Sequence, residues 1–399
     1  MESDDSTFLT RVQIKNYKSI ADCDVELGPL TFLVGPNGSG KSNFVDALRF
    51  VSDALRTTLD HAIRDRGGIN EVRRRSTGHP THFAITVEVR LAHPEIRGSY
   101  GFRVKSDPSL GGFEVQHEEC QVWGARPERN ASYRIERGEL TRSSRGHMPP
   151  PSGDALYLPL ASGFPEFRIM YDALSRMGFY NLNPDRIRDL QSPDAGAILV
   201  RDGSNLASVV ARMREHNPER LTEVEELLAK VVPGVEGVDR RILGPKEMLE
   251  FRQLVPGSAR SWRFPGSSMS DGTLRAFGVL VALFQSTNGR ERRPRLVAIE
   301  EPETALHPAA AGVLLDGLRA ASKSTQVLVT SHSADLLDDK AVRPESLLAV
   351  ISESGTTRIG PINEYSRQVL RDRLFTAGEL LRMDQLRPEG TQLALEAAT

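Results

Sequence analysis

The sequence predicts an α/β protein whose central, mostly parallel sheet is flanked by helices. Three observations support this prediction. A glycine-rich loop at 35–42 follows an apolar run at 30–34 and precedes a helix-like stretch. Two later apolar runs, at 296–299 and 327–329, are typical of strands buried on both faces of a sheet. A helix predicted at 308–318 connects them, which gives the strand–helix–strand order of a parallel sheet.

Composition narrows the class of protein. The 399 residues are 39% hydrophobic and 26% charged, as in ordinary globular proteins, and the formal net charge is -2. Any polyanion would therefore have to meet a local basic patch. Cys23 and Cys120 form no Cys-x-x-Cys pair, which argues against a disulfide framework or a thiolate metal site. Without a signal-like N-terminus or a long apolar run, we expect no membrane partner and a cytoplasmic location.

The loop at 35–42 is a complete G-x-x-x-x-G-K-[ST] phosphate loop. Its glycines let backbone N–H groups close on phosphates, Lys41 would reach the β- and γ-phosphates, and the Ser42 hydroxyl would bind Mg²⁺. The flanking strand and helix disfavour the alternative, a glycine-rich turn that binds nothing. The predicted nucleotide-binding residues are Gly35, Asn37, Gly38, Ser39, Gly40, Lys41, Ser42 and Asn43.

Alternating apolar and polar residues predict strands at 8–16 and 21–27, before the loop. Short links between further runs predict an antiparallel meander in a layer separate from the parallel core. Its strands are expected at 82–91, 99–105, 113–123 and 132–140.

Two stretches are rich in arginine. Residues 60–81, with Arg73, Arg74 and Arg75, are predicted to be an exposed excursion. Residues 126–145 hold six arginines against three glutamates, which favours a solvated hairpin face; an edge that contacts phosphates is the alternative.

The central region is helical in pattern. A helix is predicted from Glu166, and a pair of helices at 205–230 is broken near Asn217, too short for a coiled-coil arm. The predicted domains are a first ATPase lobe, a helical insertion, a second ATPase lobe and a C-terminal tail packed on the head. Their bounds are 1–165, 166–245, 246–352 and 353–399.

Polar side chains follow both buried strands, where open α/β sheets place ligand chemistry. Glu300 and Glu301 end the first strand, and His332 follows the next. We assign Glu300 to the metal and Glu301 to the attacking water. A neutral His332 could hydrogen-bond the γ-phosphate or that water.

Ser270, Asp271, Gly272 and Thr273 precede a strongly apolar helix. They are ordinary helix-capping residues, yet uncapped N–H groups with the Ser270 hydroxyl would also receive a γ-phosphate. Composition alone does not choose between these readings.

Taken together, five segments resemble the Walker A, signature, Walker B, D-loop and His-switch motifs of ABC-type ATPases. They are GPNGSGKS at 35–42, MSDGT at 269–273, LVAIEEPE at 296–303, TALH at 304–307 and TSHS at 330–333. IKNYKSI at 14–20 and the EEPE ending resemble the RecF/SMC/OLD-like branch. FYNLNPDRIRDLQ at 179–191 and RDGSNLASVV at 201–210 resemble its stand-alone bacterial ATPases.

This resemblance implies an ABC-type ATPase head with a mixed or antiparallel β lobe, binding ATP and Mg²⁺. It also implies a head-to-head dimer in which Ser270 and Gly272 of one protomer close over ATP held by the other. Asp271 departs from the usual signature, and Glu300 stands where many relatives have Asp. Gln191 is the candidate for the family's metal-binding Q-loop glutamine.

The chain after the His-switch is too short for the Toprim nuclease domain of OLD-type enzymes, so we expect no nuclease activity within it. The leading hypothesis is an ATP-hydrolysing dimer that acts on DNA or a DNA-processing partner, in repair or anti-phage defence. The alternative is an ATP-state sensor that holds or releases a separate effector, such as a nuclease or toxin.

Overall fold

The computed structural model describes residues 7–76, 78, 80–91, 95–107, 112–124, 130–285 and 294–390. They form two compact units. The P-loop unit comprises Leu9–Ser175 and the described chain from Leu337 to Gly390, and the carboxylate unit comprises Thr7, Phe8 and Arg176–Leu336. These units cut across the four segments expected from the sequence, and that finer division stays a prediction.

The strands have the following bounds: β1 (Leu9–Tyr17), β2 (Ile20–Glu26), β3 (Leu30–Val34), β4 (His82–Leu91), β5 (Ile96–Asp107), β6 (Gly112–Gly124), β7 (Ala131–Glu136), β8 (Glu139–Ser143), β9 (Gly178–Tyr180), β10 (Val235–Leu243), β11 (Lys246–Gln253), β12 (Trp262–Pro265), β13 (Leu296–Glu300), β14 (Gln326–Ser331), β15 (Leu347–Glu353) and β16 (Thr356–Pro361). The α-helices are α1 (Lys41–Arg56), α2 (Leu59–Arg64), α3 (Ile69–Val72), α4 (Leu158–Ala161), α5 (Pro165–Ser175), α6 (Pro184–Arg188), α7 (Leu206–His216), α8 (Pro218–Val231), α9 (Asp271–Phe284), α10 (Pro308–Ser322), α11 (Ala334–Leu337), α12 (Glu364–Arg371) and α13 (Ala377–Arg382).

Within the P-loop unit, one sheet runs in the order β8-β7-β6-β5-β4-β1-β2-β16-β15-β3. The predicted antiparallel meander is confirmed, but its placement in a separate layer is wrong. β4 pairs directly with β1, with Ile14 opposite Ile85, so the meander continues the sheet. Parallel pairing occurs between β2 and β16 and between β15 and β3, the strand that leads into the phosphate loop.

Helix α1 buries one face, as its spacing of apolar residues predicts. Phe44, Leu48, Val51 and Leu55 are each at most 1% exposed. Phe50, on the same helix, joins an edge-to-face aromatic cluster with Tyr17, Phe83 and Phe102 of the sheet. This packing fixes the helix whose first turn carries Lys41.

The stretch at 60–81 is not the exposed excursion that the sequence predicted. The Arg66 side chain is 2% exposed, and its Nε and Nη2 atoms lie 3.1 Å from Asp46 Oδ1 and 2.9 Å from Asp53 Oδ2. Lys18 Nζ adds a contact of 2.6 Å to Asp46 Oδ2. Burial by itself works to raise the pKa of Asp46, but Arg66 and Lys18 outweigh it and hold that pKa well below its usual range.

The carboxylate unit contains the all-parallel strands β9, β13 and β14, with β13 in the centre. The predicted short helical pair is confirmed as α7 and α8, which meet at Asn217. A separate antiparallel sheet, β10-β11-β12, includes a strand that the sequence did not predict, β10. Helix α9 packs Phe277 edge-to-face on Phe251 of β11, which ties this sheet to the helix.

Among the described residues, no helix has the length and apolar character needed to cross a bilayer.

Candidate nucleotide site

The phosphate loop joins β3 to α1 through a turn that requires glycine. Gly40 caps α1 with φ 105°, and a Cβ added there would lie 2.0 Å from Thr357 Oγ1. At Gly35 an added Cβ would lie 2.0 Å from the backbone carbonyl oxygen of Val350, in the neighbouring strand β15. A side chain at either position would therefore displace the loop.

A chain of hydroxyl groups holds the loop from the side of β16. Thr357 Oγ1 donates to the carbonyl of Ser39 (2.9 Å), so Ser19 Oγ donates to Thr357 Oγ1 (2.6 Å). Asn43 Nδ2 donates in turn to Ser19 Oγ (2.6 Å). The loop is thus fixed to the start of β2 and to β16.

The donors of the loop fit a bound phosphate. No side chain caps the N-terminus of α1, and its first turn carries no acidic residue. Lys41, 5% exposed, donates from Nζ to the carbonyls of Gly35 (2.9 Å) and Pro36 (3.0 Å). The buried Ser39 Oγ finds no hydrogen-bond partner among the described residues. Ser42, the residue expected to bind a metal ion, is exposed.

In the carboxylate unit, Glu300 ends β13 opposite Thr330 of β14. Its side chain is 12% exposed, and Oε1 accepts a hydrogen bond from Arg201 Nη2 (2.8 Å). The predicted metal carboxylate is therefore mostly buried and neutralised by an arginine.

Glu301 sits in a sparsely populated backbone conformation, with φ 46°. Such conformations cost about 1–3 kcal/mol and concentrate at functional sites. Its N–H donates to the carbonyl of Thr330 (3.0 Å), which holds the residue against the end of β14. Glu301 Oε1 lies 3.2 Å from His332 Nδ1, and both side chains are 37% exposed. The structure thus brings together the predicted base and the predicted His-switch residue.

Glu303 is a second acidic group beside this pair. It is 9% exposed, and Oε1 accepts from Ser331 Oγ (2.7 Å), while Oε2 is buried without a hydrogen-bond partner among the described residues. Burial raises the pKa of the Glu303 carboxyl. Glu303 therefore helps to fix the turn that follows β13, next to His332.

Arg275 links helix α9 to this turn. Its Nη1 donates to the carbonyl of Glu301 (3.3 Å) and its Nη2 to that of Leu182 (2.6 Å). Burial lowers the pKa of this guanidinium from its usual value. A shift of α9 would therefore be transmitted to the backbone of Glu301.

At the start of α9, the structure supports the capping alternative. Ser270 Oγ accepts from the N–H of Thr273 (3.2 Å), so Ser270 is the N-cap. A Cβ on Gly272 would lie 2.5 Å from the carbonyl oxygen of Ala305, so glycine is needed here for close packing. Both residues have a structural reason to be present, and their contact with ATP across a dimer stays a prediction.

Gln191 does not have the geometry of a metal ligand, contrary to our expectation. The residue is 3% exposed, and its Nε2 donates to the carbonyls of Ile187 (3.1 Å) and Gly203 (3.4 Å). Its Oε1 accepts from the N–H of Ala207 (2.9 Å). Because both ends of the amide bind backbone groups, Gln191 anchors the entry to α7.

The available oxygen donors fit Mg²⁺ bound together with nucleotide phosphates. Among the described residues, no group of three His, Cys, Asp or Glu side chains forms a metal cluster. Mg²⁺ commonly takes only one or two carboxylates and completes its shell with waters and phosphates. The Ser42 hydroxyl in the P-loop unit and the Glu300 carboxylate in the carboxylate unit are each donors of this kind, and their joint binding of one Mg²⁺ stays a prediction.

Sequence reasoning missed Arg201, Arg275 and Thr357. Arg201 lies 99 residues from Glu300, and no local pattern connects them. Thr357 had a signal, because Ser354-Gly355 between two β-like runs is typical of a hairpin.

The phosphate loop, the paired glutamates after a buried parallel strand and the histidine after the next strand define an ABC-type ATPase of the RecF/SMC/OLD-like class. The chain belongs to the family described as "AAA domain, putative AbiEii toxin, Type IV TA system", whose model matches residues 30–139 and 154–339.

Curated relatives share shorter segments. An OLD nuclease of Thermus scotoductus is 31% identical over 122 residues, 30% of this chain and 22% of the relative. The DNA replication and repair protein RecF of Gloeobacter violaceus is 40% identical over 60 residues, 15% of each chain. A chromosome partition protein Smc of Clostridium kluyveri is 55% identical over 49 residues, 12% of this chain and 4% of the relative. The matched segments span less than a quarter of each relative.

Two solved structures share the fold. One is an Smc head bound to the C-winged helix domain of ScpA, with TM-score 0.53, 14% identity and coverage of 88% of this chain and 96% of that one. The other is an Smc head with an extended coiled coil bound to the C-terminal domain of ScpA derived from Pyrococcus furiosus. It has TM-score 0.56, 12% identity and coverage of 92% and 99%. The predicted ABC-type ATPase head fold is confirmed.

Proposed function

We propose that the chain is a Mg²⁺-dependent ATP hydrolase that dimerises around ATP and acts on DNA or a DNA-processing partner, in repair or anti-phage defence. One observation carries the hydrolase part. Glu301 Oε1 lies 3.2 Å from His332 Nδ1 at the carboxyl ends of two parallel strands, in a chain with a complete phosphate loop.

The residues divide the reaction between them. The loop N–H groups and Lys41 bind the phosphates. Glu301 accepts a proton from the attacking water, and His332 orients that carboxylate. Ser42 and Glu300 would hold Mg²⁺, which neutralises charge that develops on the phosphates. Purified protein should hydrolyse ATP with Mg²⁺ and lose turnover in EDTA; ATP binding without any turnover would contradict the hydrolase.

The dimer is proposed from the resemblance, with Ser270 and Gly272 facing the nucleotide of the partner copy. Glu301→Gln should slow hydrolysis and keep ATP in place, so mass measurement in solution should find a dimer with ATP and a monomer without nucleotide. A variant that stays monomeric with saturating ATP would refute the dimer.

The relatives named for chromosome partition and for DNA replication and repair support action on DNA. The Arg73–Arg75 run gives little support, because its side chains bind the P-loop unit itself. Arg73 donates hydrogen bonds to Asn70 and to the carbonyl of Pro80, Arg74 donates to Thr356, and Arg75 donates to Glu71.

Duplex DNA, single strands and DNA ends should be tested for stimulation of ATP turnover. If none of these DNAs changes the rate of ATP turnover, and none binds the protein in the presence of ATP, the proposed direct action on DNA is wrong.

An ATP-state sensor that controls a separate effector is the second candidate. Two findings favour it: the family description names a toxin and a toxin–antitoxin system, and both Smc heads were solved with a ScpA domain bound. An affinity-tagged Glu301→Gln protein should then retain a host protein with ATP and release it without. Isolation of the chain alone in both states would count against this candidate.

A further inference from the structure

The segment RDGSN at 201–205 forms a rigid loop beside the glutamates. The N–H of Asn181 donates to the carbonyl of Arg201 (3.0 Å), and Asn205 Oδ1 accepts from the N–H of Val200 (2.9 Å). Gly203 has φ 82°, and a Cβ there would lie 2.7 Å from Ile187 Cγ1. The position of the Arg201 backbone is therefore set independently of its side chain.

Arg201 lines a cleft of about 610 Å³ in the carboxylate unit. Asp202 also lines this cleft, but its Oδ1 accepts from the N–H of Ser204 (3.1 Å). The Arg201 side chain instead pairs with Glu300, with 46% of the arginine and 12% of the glutamate side chain exposed. The cleft thus leaves the arginine solvated while its carboxylate partner is mostly buried.

The contact constrains only part of the carboxylate. Arg201 Nη2 bonds Glu300 Oε1, and no described hydrogen bond joins the arginine to Oε2. A glutamate has one more rotatable bond than the aspartate common at this position, so its carboxylate needs more restraint. A guanidinium on one oxygen supplies that restraint and leaves the other oxygen available.

We propose that Arg201 is a positioning residue for Glu300, which it holds in the orientation that binds Mg²⁺ with ATP. The inference rests on the proposed function, because it takes Glu300 as the metal carboxylate. Partners that orient a metal ligand typically contribute about 10- to 100-fold to metal affinity.

The test is Mn²⁺ binding to the protein–ATP complex, followed by electron paramagnetic resonance, in wild type, Arg201→Ala and Arg201→Lys. Arg201→Ala should weaken Mn²⁺ binding about 10- to 100-fold. Arg201→Lys should restore part of it. Binding of a fluorescent ATP analogue in EDTA should be unchanged, because Arg201 lies outside the phosphate loop.

Arg220→Ala is the matched control, since Arg220 pairs with Glu223 at 2.7 Å on the exposed side of α8. It removes the same charge from the same unit and should leave Mn²⁺ binding unchanged. Glu300→Asp completes a double-mutant cycle: the shorter side chain should no longer reach Arg201, so Arg201→Ala should add little in that background.

Three failures are distinguishable. If the wild type binds Mn²⁺ with ATP but never turns over, the proposed hydrolase is wrong. If the wild type turns over and Arg201→Ala binds Mn²⁺ as tightly as wild type or more tightly, the positioning role is wrong. Wild type that binds no Mn²⁺ in the presence of ATP would overturn the role of Glu300 and with it the inference.

Discussion

The phosphate loop at 35–42 and the turn after β13, which carries Glu301 and Glu303, are held in place by different means. Backbone geometry shapes the loop, with glycines at its tightest approaches, and a short chain of hydroxyl groups runs from Ser19 through Thr357 to the carbonyl of Ser39. Side chains from distant segments hold the turn after β13, chiefly Arg201 on Glu300 and Arg275 on the carbonyl of Glu301. Loop substitutions should therefore change ATP affinity, whereas substitutions around the carboxylates should change turnover or metal binding.

The largest effect on stability should come from the partly buried ion pairs that Asp46 of helix α1 forms with Lys18 and Arg66. Asp46→Asn leaves Arg66 buried beside a neutral amide and should lower the free energy of unfolding at pH 7 by about 3–5 kcal/mol. The native pKa of Asp46 is lowered from its ordinary 3.8, so its stabilisation is present above that pH and lost as pH falls toward the native value.

Denaturant unfolding should therefore separate wild type from Asp46→Asn most at neutral pH, with the gap closing below about pH 3.8. Asp60→Asn, which removes one exposed partner of Arg64, is the control and should cost less than about 1 kcal/mol. A gap that does not depend on pH would show that the Asp46 charge is not what stabilises α1.

Lys41→Ala tests the loop directly. Loss of the ammonium should weaken ATP binding by about 100-fold, close to 2.7 kcal/mol, because a charged donor to the phosphates is removed. Calorimetric titration with ATP checks the value, and Lys340→Ala, an exposed lysine, should bind like wild type. Unchanged affinity in Lys41→Ala would break the assignment of ATP binding to this loop.

His332→Ala tests the contacts between side chains around the turn after β13. A hydrogen bond to a charged group contributes about 1.5–3 kcal/mol, so turnover should fall about 10- to 100-fold. ATP affinity should not change, since His332 is not part of the loop. His61→Ala, which removes an exposed partner of Asp65, is the control. A loss of affinity with unchanged kcat would reverse the division of roles.

Thr357→Val should have the smallest effect. Valine keeps the shape but removes the hydrogen bonds to Ser39 and Ser19, worth about 1 kcal/mol, so ATP affinity should fall about fivefold. Thr10→Val, which loses a 3.3 Å bond to the carbonyl of Glu88, should leave affinity unchanged. If both variants bind ATP equally well, β16 has no part in shaping the loop.

The sequence was sufficient for what is local. The phosphate loop, the helix behind it and the strand ending in Glu300 are each continuous patterns, and the structure contains them. It was not sufficient for pairings across the chain. The joining of β4 to β1, the burial of Arg66 and the contact of Arg201 with Glu300 depend on long-range packing that no local spacing encodes.

Gln191 shows that the sequence can also suggest a role that the surroundings of a side chain do not support. A glutamine near the expected position suggested a metal ligand, but both ends of its amide bind the backbone around α7. A polar side chain can bind a ligand only where its polar atoms are not already hydrogen-bonded within the fold, and the sequence alone does not show this.

The separation of ATP binding by the loop from catalysis by Glu301 can be tested with a paired measurement on Glu301→Gln, of ATP affinity and of hydrolysis rate under identical conditions. We expect an affinity within about twofold of wild type, since the loop is unchanged, and a rate lower by about 10²- to 10⁴-fold, since the base is lost. Wild-type turnover in this variant would contradict the assignment of Glu301 as the base.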